Sequence, residues 1–134
     1  MADRAPRGLL DTSVVIDLDA LAADVLPEQV AVSAVTLAEL AAGPAATNDL
    51  AERARRQDQL QRAEAAFDPL PFDVEAARAY GRIYAAVRAH GRAPRRRLAD
   101  LMIAAVALAN DLPVVTRNGA DFVGLGRLAE ILEV

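Results

Sequence analysis

Short apolar segments with β-forming residues alternate along the chain with longer segments in which apolar residues recur at helical spacing. The predicted strands cover residues 8–10, 30–32, 70–72, 112–116 and 129–134. The predicted helices cover residues 14–26, 34–42, 48–67, 74–87 and 98–109. Strands that alternate with helices in this way predict a parallel sheet wrapped by helices, an α/β fold.

Capping residues and prolines set the predicted boundaries of these elements. Ser33 and Asp73 are expected to cap the helices that follow them, and Thr47 or Asn48 the helix that reaches about residue 67. Pro71 places the segment 70–72 at an edge of the sheet, because proline cannot donate a ladder hydrogen bond. The predicted core stripe of the fourth helix consists of Val74, Ala77, Tyr80, Tyr84 and Val87.

The composition excludes several classes of protein. The 134 residues predict a single domain spanning residues 1–134, and they include no Cys and one His. Disulfide frameworks, thiolate zinc sites and cysteine nucleophiles are therefore excluded. The longest unbroken apolar run, residues 101–109, is far shorter than the roughly 20 residues that span a bilayer. We expect a soluble, intracellular protein with no membrane partner.

All 15 basic residues are arginine, and the formal net charge is −4. The absence of lysine excludes a phosphate-binding loop with its lysine, and chemistry that uses a lysine amine. The acidic balance is not typical of a domain that coats duplex DNA. A nucleic-acid partner is still allowed where the arginines cluster.

Four carboxylates interrupt apolar elements at related places in the predicted fold. Asp11 directly follows the first strand, Asp121 follows the segment 112–116 after a short turn, and both point to the edge where open parallel sheets bind ligands. Asp100 stands at the start of the apolar helix 98–109, and Glu39 lies in the helix after the second strand. Each of them taken alone also has a structural explanation as a cap, a turn residue or an exposed helical residue.

The four carboxylates together indicate a cation site. Like charges a few ångströms apart oppose one another's ionisation, so the group needs a counter-ion. Oxygen ligands alone favour Mg²⁺, with Mn²⁺ as a substitute. Such an ion suits phosphodiester hydrolysis, because it activates water and neutralises charge on a phosphoryl oxygen.

A run of arginines without any acid precedes Asp100. The candidates for binding a polyanion within it are Arg92, Arg95, Arg96 and Arg97. A positive surface beside a metal site would hold a polyanion by phosphate contacts. A solvated charged loop is the alternative explanation of the same pattern.

Four blocks of sequence resemble the PIN-domain ribonucleases, and within them the VapC-type toxins of bacterial type II toxin–antitoxin pairs. The blocks are LLDTS at residues 9–13, TLAEL at 36–40, ADLMIAA at 99–105 and VTRNGADF at 115–122. They occur in the family's order and at its usual spacing over essentially the whole chain. The resemblance implies a three-layer α/β/α sandwich with a short parallel sheet in the order 3-2-1-4-5.

The resemblance also implies an endoribonuclease that depends on Mg²⁺ or Mn²⁺ and cleaves RNA, with transfer or ribosomal RNA as the expected substrate. The residues that match the family's acidic quartet are Asp11, Glu39, Asp100 and Asp121. Asp11 and Asp100 match its most direct metal ligands, and our hypothesis is that Asp121 and Glu39 complete the site directly or through water. The accessory polar positions are Thr12, Thr116 and Asn118, and Asp17 is a weak further candidate.

Partners follow from the same resemblance. It implies a homodimer and a cognate VapB-type antitoxin, whose C-terminal segment would lie across the active-site groove and place an arginine against the carboxylates. The other end of the antitoxin would bind operator DNA, so this chain would contact duplex DNA only indirectly.

Two other readings remain open. A phosphoacceptor domain also places an aspartate after the first strand, but such domains use a lysine that this chain lacks. A non-catalytic module would use the carboxylates only to bind a partner's arginine-bearing tail. Metal-dependent RNA cleavage separates the nuclease from this module, and an adduct with acetyl phosphate would identify the phosphoacceptor.

Overall fold

A computed structural model describes residues 4–134 of the chain. The predicted domain span of 1–134 includes residues 1–3, which lie outside the described residues. The strands are β1 Arg7–Leu10, β2 Gln29–Val32, β3 Val114–Thr116 and β4 Ile131–Glu133. The α-helices are α1 Thr12–Ile16, α2 Ala34–Ala42, α3 Leu50–Ala66, α4 Val74–Ala89 and α5 Leu98–Ala109. Short 3₁₀ turns cover Leu18–Ala20, Ala23–Val25, Pro44–Ala46, Pro94–Arg97 and Gly119–Phe122.

The four strands form one parallel sheet in the order β2-β1-β3-β4. Leu10 at the end of β1 is in register with Val32 on one side and Val115 on the other. The ends of β2, β1 and β3 therefore lie together, and the loops that leave them emerge at one edge of the sheet.

The predicted order of five strands, 3-2-1-4-5, is wrong in the strand that it places first, residues 70–72. Residue Leu70 lies beside β2, where that strand was expected, but it forms only an isolated bridge with Ser33. Its backbone makes two hydrogen bonds, from Leu70 N to Val32 O at 2.9 Å and from Ala34 N to Leu70 O at 2.8 Å. Proline on both sides of Leu70 removes the neighbouring N–H donors, so the pairing cannot extend.

Two apolar clusters cover the two faces of the sheet. Leu9 and Val114 belong to the larger one, with residues of α4 and α5. Leu10 and Val115 belong to the smaller one, with Val14 of α1. The side chains alternate across the strand in this way because the strand repeat is two residues. The α/β/α arrangement predicted from the sequence is confirmed.

Helix α5 has the bounds that the sequence predicted, and it is buried along most of its length. Its buried residues are Leu101, Ile103, Ala104, Ala105, Val106 and Ala107. The small alanines allow α4 to pack closely beside it in the larger core cluster. Within residues 4–134 no helix is both long enough and apolar enough to cross a membrane.

Three details of the helix prediction are wrong. The helix predicted over 14–26 ends at Ile16 and gives way to two 3₁₀ turns. Asp49, rather than Thr47 or Asn48, caps α3 and accepts from two backbone N–H groups. On α4 the side chain of Val74 is 64% exposed, and the buried face consists of Ala76, Ala79, Ile83 and Val87. Of the predicted stripe, Val87 is buried and the half-buried Tyr80 packs against the core, whereas Val74 and Ala77 are exposed.

Candidate active site

Asp11 lies at the C-terminal end of β1 and caps α1. Its residue surface is 3% exposed. The carboxylate oxygen Oδ1 accepts hydrogen bonds from the Ser13 hydroxyl at 2.6 Å and from the Val14 backbone N–H at 3.1 Å. These two donors fix the orientation of a buried negative charge and offset part of its desolvation.

Glu39 reaches the same edge from α2. Its Oε1 accepts a hydrogen bond of 2.6 Å from the hydroxyl of Thr12, which is the first residue of α1. The Thr12 oxygen also lies 3.1 Å from Oγ1 of the buried Thr36, one turn before Glu39 on α2. Thr12 therefore joins α1 to α2 and holds a carboxylate that is otherwise exposed.

Asp121 lies in the 3₁₀ turn after β3, and its side chain is 19% exposed. Its Oδ1 is 2.5 Å from Nη1 of Arg97, the residue that precedes α5. The contact is an ion pair without the alignment of a hydrogen bond, so the buried Oδ1 lacks a hydrogen-bond donor among the described residues. An oxygen in this state can still accept a ligand.

Asp100 is in the first turn of α5 and is half-buried. The pKa of its carboxyl is raised to about 6, mainly by burial and then by the charges of Asp121, Glu39 and Asp11, while Arg97 opposes this rise. Three carboxylates from other segments thus act electrostatically on Asp100. The structure brings the four predicted acids together at one edge of the sheet.

The accessory and arginine candidates separate into several groups. Thr116 is buried, and its hydroxyl accepts from the backbone N–H of Asn118 at 3.0 Å, whereas Asn118 itself is exposed. Asp17 is 3.4 Å from Arg117 in a half-exposed ion pair. The four predicted RNA-binding arginines lie in or beside the 3₁₀ turn Pro94–Arg97.

Sequence reasoning missed several polar contacts that support the site. The Ser13 hydroxyl, besides donating to Asp11, accepts from the backbone N–H of Arg117 at 3.1 Å. Glu133 in β4 accepts from the backbone N–H of Gly119 at 2.5 Å, two residues before Asp121. No local pattern announces either contact, because the partners are 104 and 14 residues apart in the chain.

The donor set fits a hard divalent cation in its chemistry. It consists of carboxylate oxygens, and their mutual repulsion would be relieved by a positive ion. Within residues 4–134 no three acidic side chains are already arranged as metal ligands. Ser13, Thr12 and Arg97 each hold one of the carboxylates, so binding of an ion would require Arg97 to release Asp121 and the carboxylates to come closer together.

Comparison with known proteins adds an independent line of evidence. The PIN domain matches residues 8–128. The chain is 40% identical over 136 residues to Ribonuclease VapC5 from Mycobacterium tuberculosis, covering 98% of this chain and 96% of that protein. It is 36% identical over 135 residues to the plasmid stability protein StbB from Pseudomonas syringae pv. tomato, covering 88% and 92%.

Solved structures with the same fold include toxin–antitoxin complexes. One is VapBC-5 from Mycobacterium tuberculosis, with a TM-score of 0.79, 36% identity and coverage of 96% of this chain and 99% of that one. The chain is also similar to the solved structure of FitAcB from Neisseria gonorrhoeae, with a TM-score of 0.69, 29% identity and coverage of 93% of this chain and 96% of that one. The sheet and the helices around the four carboxylates thus have counterparts over nearly the full chain.

Proposed function

Because the chain belongs to the PIN-domain family, and within it to the VapC-type ribonucleases, we propose that it is a divalent-metal-dependent endoribonuclease that acts as the toxin of a toxin–antitoxin pair. Mg²⁺ is the proposed ion, and Mn²⁺ can replace it. Hydrolysis of phosphodiester bonds in transfer or ribosomal RNA is the proposed reaction.

One observation carries this proposal. The ionisation of Asp100 is opposed by the charges of Asp121, Glu39 and Asp11, which come from three other segments of the chain. A fold gains no stability from repulsion of this kind, so the arrangement is best explained by a cationic ligand that offsets it. Asp11 and Asp100 would hold the ion, with Asp121 and Glu39 completing its surroundings.

The chain's own residues would have separate tasks in the reaction. A bound divalent ion would lower the pKa of a water molecule that it coordinates, and it would neutralise charge on the phosphoryl oxygens. Ser13 keeps the Asp11 carboxylate in one orientation, and Thr12 does the same for Glu39. Arg97, once released from Asp121, would be free to contact a phosphate of the RNA.

The proposed partners follow from the relatives. VapBC-5 is a member of the VapBC family of toxin–antitoxin systems, and we propose a cognate VapB-type antitoxin for this chain. A guanidinium from that antitoxin would compete for the carboxylates as Arg97 does within the chain. A homodimer and a cytoplasmic location are part of the same proposal.

Sequencing of RNA 5′ ends after expression of the chain tests this function. The wild type should generate new ends at discrete sites, whereas Asp11→Asn and Asp100→Asn should reduce cleavage by about 100-fold or more, because each removes a charge that holds the ion. Asp68→Asn is the matched control, since Asp68 is exposed and belongs to a loop outside the site.

The same samples decide between the proposed nuclease and the other two readings. Purified wild type should cleave RNA with Mg²⁺ or Mn²⁺ and lose this activity with a chelator. Full cleavage by pure Asp100→Asn protein would contradict the proposed mechanism. No cleavage by the wild type, together with an acetyl phosphate adduct on Asp11, would point to a phosphoacceptor instead.

A further inference from the structure

Arginines and a carboxylate share the wall of a cavity of about 470 Å³. We define it as the arginine pocket, by the four charged residues that line it, Arg92, Arg96, Arg97 and Asp121. Val87, Leu101 and Val123 supply apolar surface. Asp121 therefore belongs both to this pocket and to the carboxylate group described above, so the two sites adjoin.

The pocket carries excess positive charge in an acidic protein. Its three arginines face one aspartate, and Arg97 already pairs with that aspartate. Arg92 and Arg96 form no ion pair with any residue that the structure describes. Two guanidinium groups are thus available to an anion immediately beside the four carboxylates.

The residues that line the pocket limit the kind of ligand that it can bind. Guanidinium groups bind phosphate oxygens in pairs, which makes arginine well suited to phosphodiesters. None of the residues that line the pocket is aromatic, so it offers no platform on which a base could stack. Its volume lies within the range of about 300–1,000 Å³ that is usual for small-ligand sites.

We propose that the arginine pocket is a subsite for the sugar–phosphate backbone of an RNA strand, at a nucleotide next to the bond that is cleaved. Arg92 and Arg96 contact its phosphate, and Arg97 passes from Asp121 to the RNA when the strand enters. The inference rests on the proposed function, since it takes the carboxylate site as the place of cleavage. The proposal also separates Arg95 from the other three arginines of the basic run, because Arg95 is not among the residues that line the pocket.

Arg95 makes a matched control for Arg96. Both are exposed and belong to the same 3₁₀ turn, and they carry the same charge. General attraction between the basic run and RNA would be weakened equally by Arg95→Ala and Arg96→Ala. A pocket contact would be weakened by Arg96→Ala alone.

Binding of a labelled single-stranded RNA oligonucleotide tests the proposal, with Asp11→Asn added to every variant so that the probe is not cut. We expect Arg92→Ala and Arg96→Ala each to raise the Kd about tenfold, as lost charge-assisted contacts do, and Arg95→Ala to change it less than about twofold. Each pocket variant should also reduce the slope of log Kd against log salt by about 0.7. Equal losses for Arg95→Ala and Arg96→Ala would overturn the proposal.

Two further binding measurements identify the ligand. Oligonucleotides of uridine and of adenosine should give the same ratio of variant to wild-type Kd, and a ratio that depends on the base would contradict a backbone subsite. Unlabelled RNA, with its concentration counted in phosphate groups, should displace the probe far below the concentration at which inorganic phosphate displaces it. Equal displacement would show a general anion site and overturn the assignment to RNA.

Failure of the subsite and failure of the proposed nuclease give different results. If the wild type cleaves RNA while Arg96→Ala and Arg95→Ala bind it equally well, the subsite is wrong and the nuclease stands. If the wild type binds RNA through Arg96 but never cleaves it with added metal, the subsite stands and the nuclease is wrong. Circular dichroism melts of each variant verify that the substitutions leave the fold intact.

Discussion

Each of three acids at the sheet edge is held by a different kind of partner. Asp11 accepts from a hydroxyl and a backbone amide, Glu39 accepts from a hydroxyl, and Asp121 pairs with a guanidinium. Asp100 is the one whose pKa is raised, to about 6, by burial and by its charged neighbours. Carboxylates within one site thus have different environments.

The acids themselves could be predicted from the sequence, whereas most of their partners could not. Asp11 and Asp100 stand where a strand or an apolar helix meets a polar residue, and that is a local signal. Arg97 was expected to bind RNA, but its pairing with Asp121 depends on how the turn Pro94–Arg97 packs against the turn after β3. Contacts of that kind are set by tertiary structure alone.

The raised pKa of Asp100 predicts a pH dependence of stability in the absence of divalent metal. Between pH 3.8 and about 6, the folded chain keeps a proton on Asp100 that the unfolded chain has lost, because this pKa is about 6 in the folded chain and near 3.8 in the unfolded chain. The contribution of Asp100 to stability should therefore be largest below the lower value and be lost as the pH rises through about 6. Asp100→Asn removes this titration, so the variant should gain stability relative to the wild type as the pH rises.

Thermal melts in a chelating buffer measure this effect. The Tm of Asp100→Asn minus that of the wild type should be larger at about pH 7 than at about pH 4, because only at the higher pH is Asp100 charged in the folded wild type. Asp68→Asn serves as the control and should show no such trend. A difference between Asp100→Asn and the wild type that stays constant across the range would contradict the electrostatic account.

At the scale of elements, the sequence predicted those whose boundaries are marked by local chemistry. Helix α5 is apolar nearly all round and is followed by Asn110 and Asp111, the second of which has a positive φ of 57°. Helix α2 begins after Ser33, whose hydroxyl accepts from Thr36 N. Both helices have the predicted bounds: Ser33 and Gly43 mark the two ends of α2, and Asn110 and Asp111 mark the end of α5, whose start has no capping side chain.

The elements that differ from prediction lack such signals or carry competing ones. Apolar residues continue beyond Ile16 at helical spacing, but the chain turns at Asp17 and packs Leu18 and Leu21 against the smaller cluster. Thr47 and Asp49 both have capping side chains. Thr47 accepts from Asp49 N, and Asp49 then caps α3. Capping propensity alone does not show which of two nearby residues of this kind caps the helix.

The turn that carries Asp121 supplies a prediction at this scale. A methyl group at Gly119 would lie 2.8 Å from Oε1 of Glu133, the oxygen that accepts from Gly119 N. The flexible end of Glu133 would move away, so Gly119→Ala and Glu133→Ala break the same contact. Each should lower the free energy of unfolding by about 1 kcal/mol, and the double variant should lose little more than either single one.

Urea unfolding of the four proteins in this cycle provides the measurement. Gly81→Ala is a useful control, because nothing lies within 4 Å of a methyl group at that position in α4. It should stabilise the protein by about 0.5–1 kcal/mol through the lower backbone entropy of the unfolded chain. Fully additive losses for Gly119→Ala and Glu133→Ala would contradict the shared contact.

At the scale of the whole molecule, the parallel sheet explains how acids distant in the chain come together. Asp11 and Asp121 follow β1 and β3, which are neighbours in the sheet, and α2 and α5 bring Glu39 and Asp100 to the same edge. The sequence predicted this convergence because strand ends in an α/β fold share an edge. It did not predict the cavity beside Asp121, whose walls come from α4, α5 and two turns.

The account depends on one site that is built by all four acids and binds a divalent cation. Titration of the purified protein with Mn²⁺, followed by electron paramagnetic resonance, tests this most directly. We predict that the wild type and Asp68→Asn bind the ion alike, and that Asp11→Asn and Asp100→Asn each weaken binding by about 10–100-fold. Binding of equal strength in all four proteins would contradict the account, since the ion would then be held elsewhere.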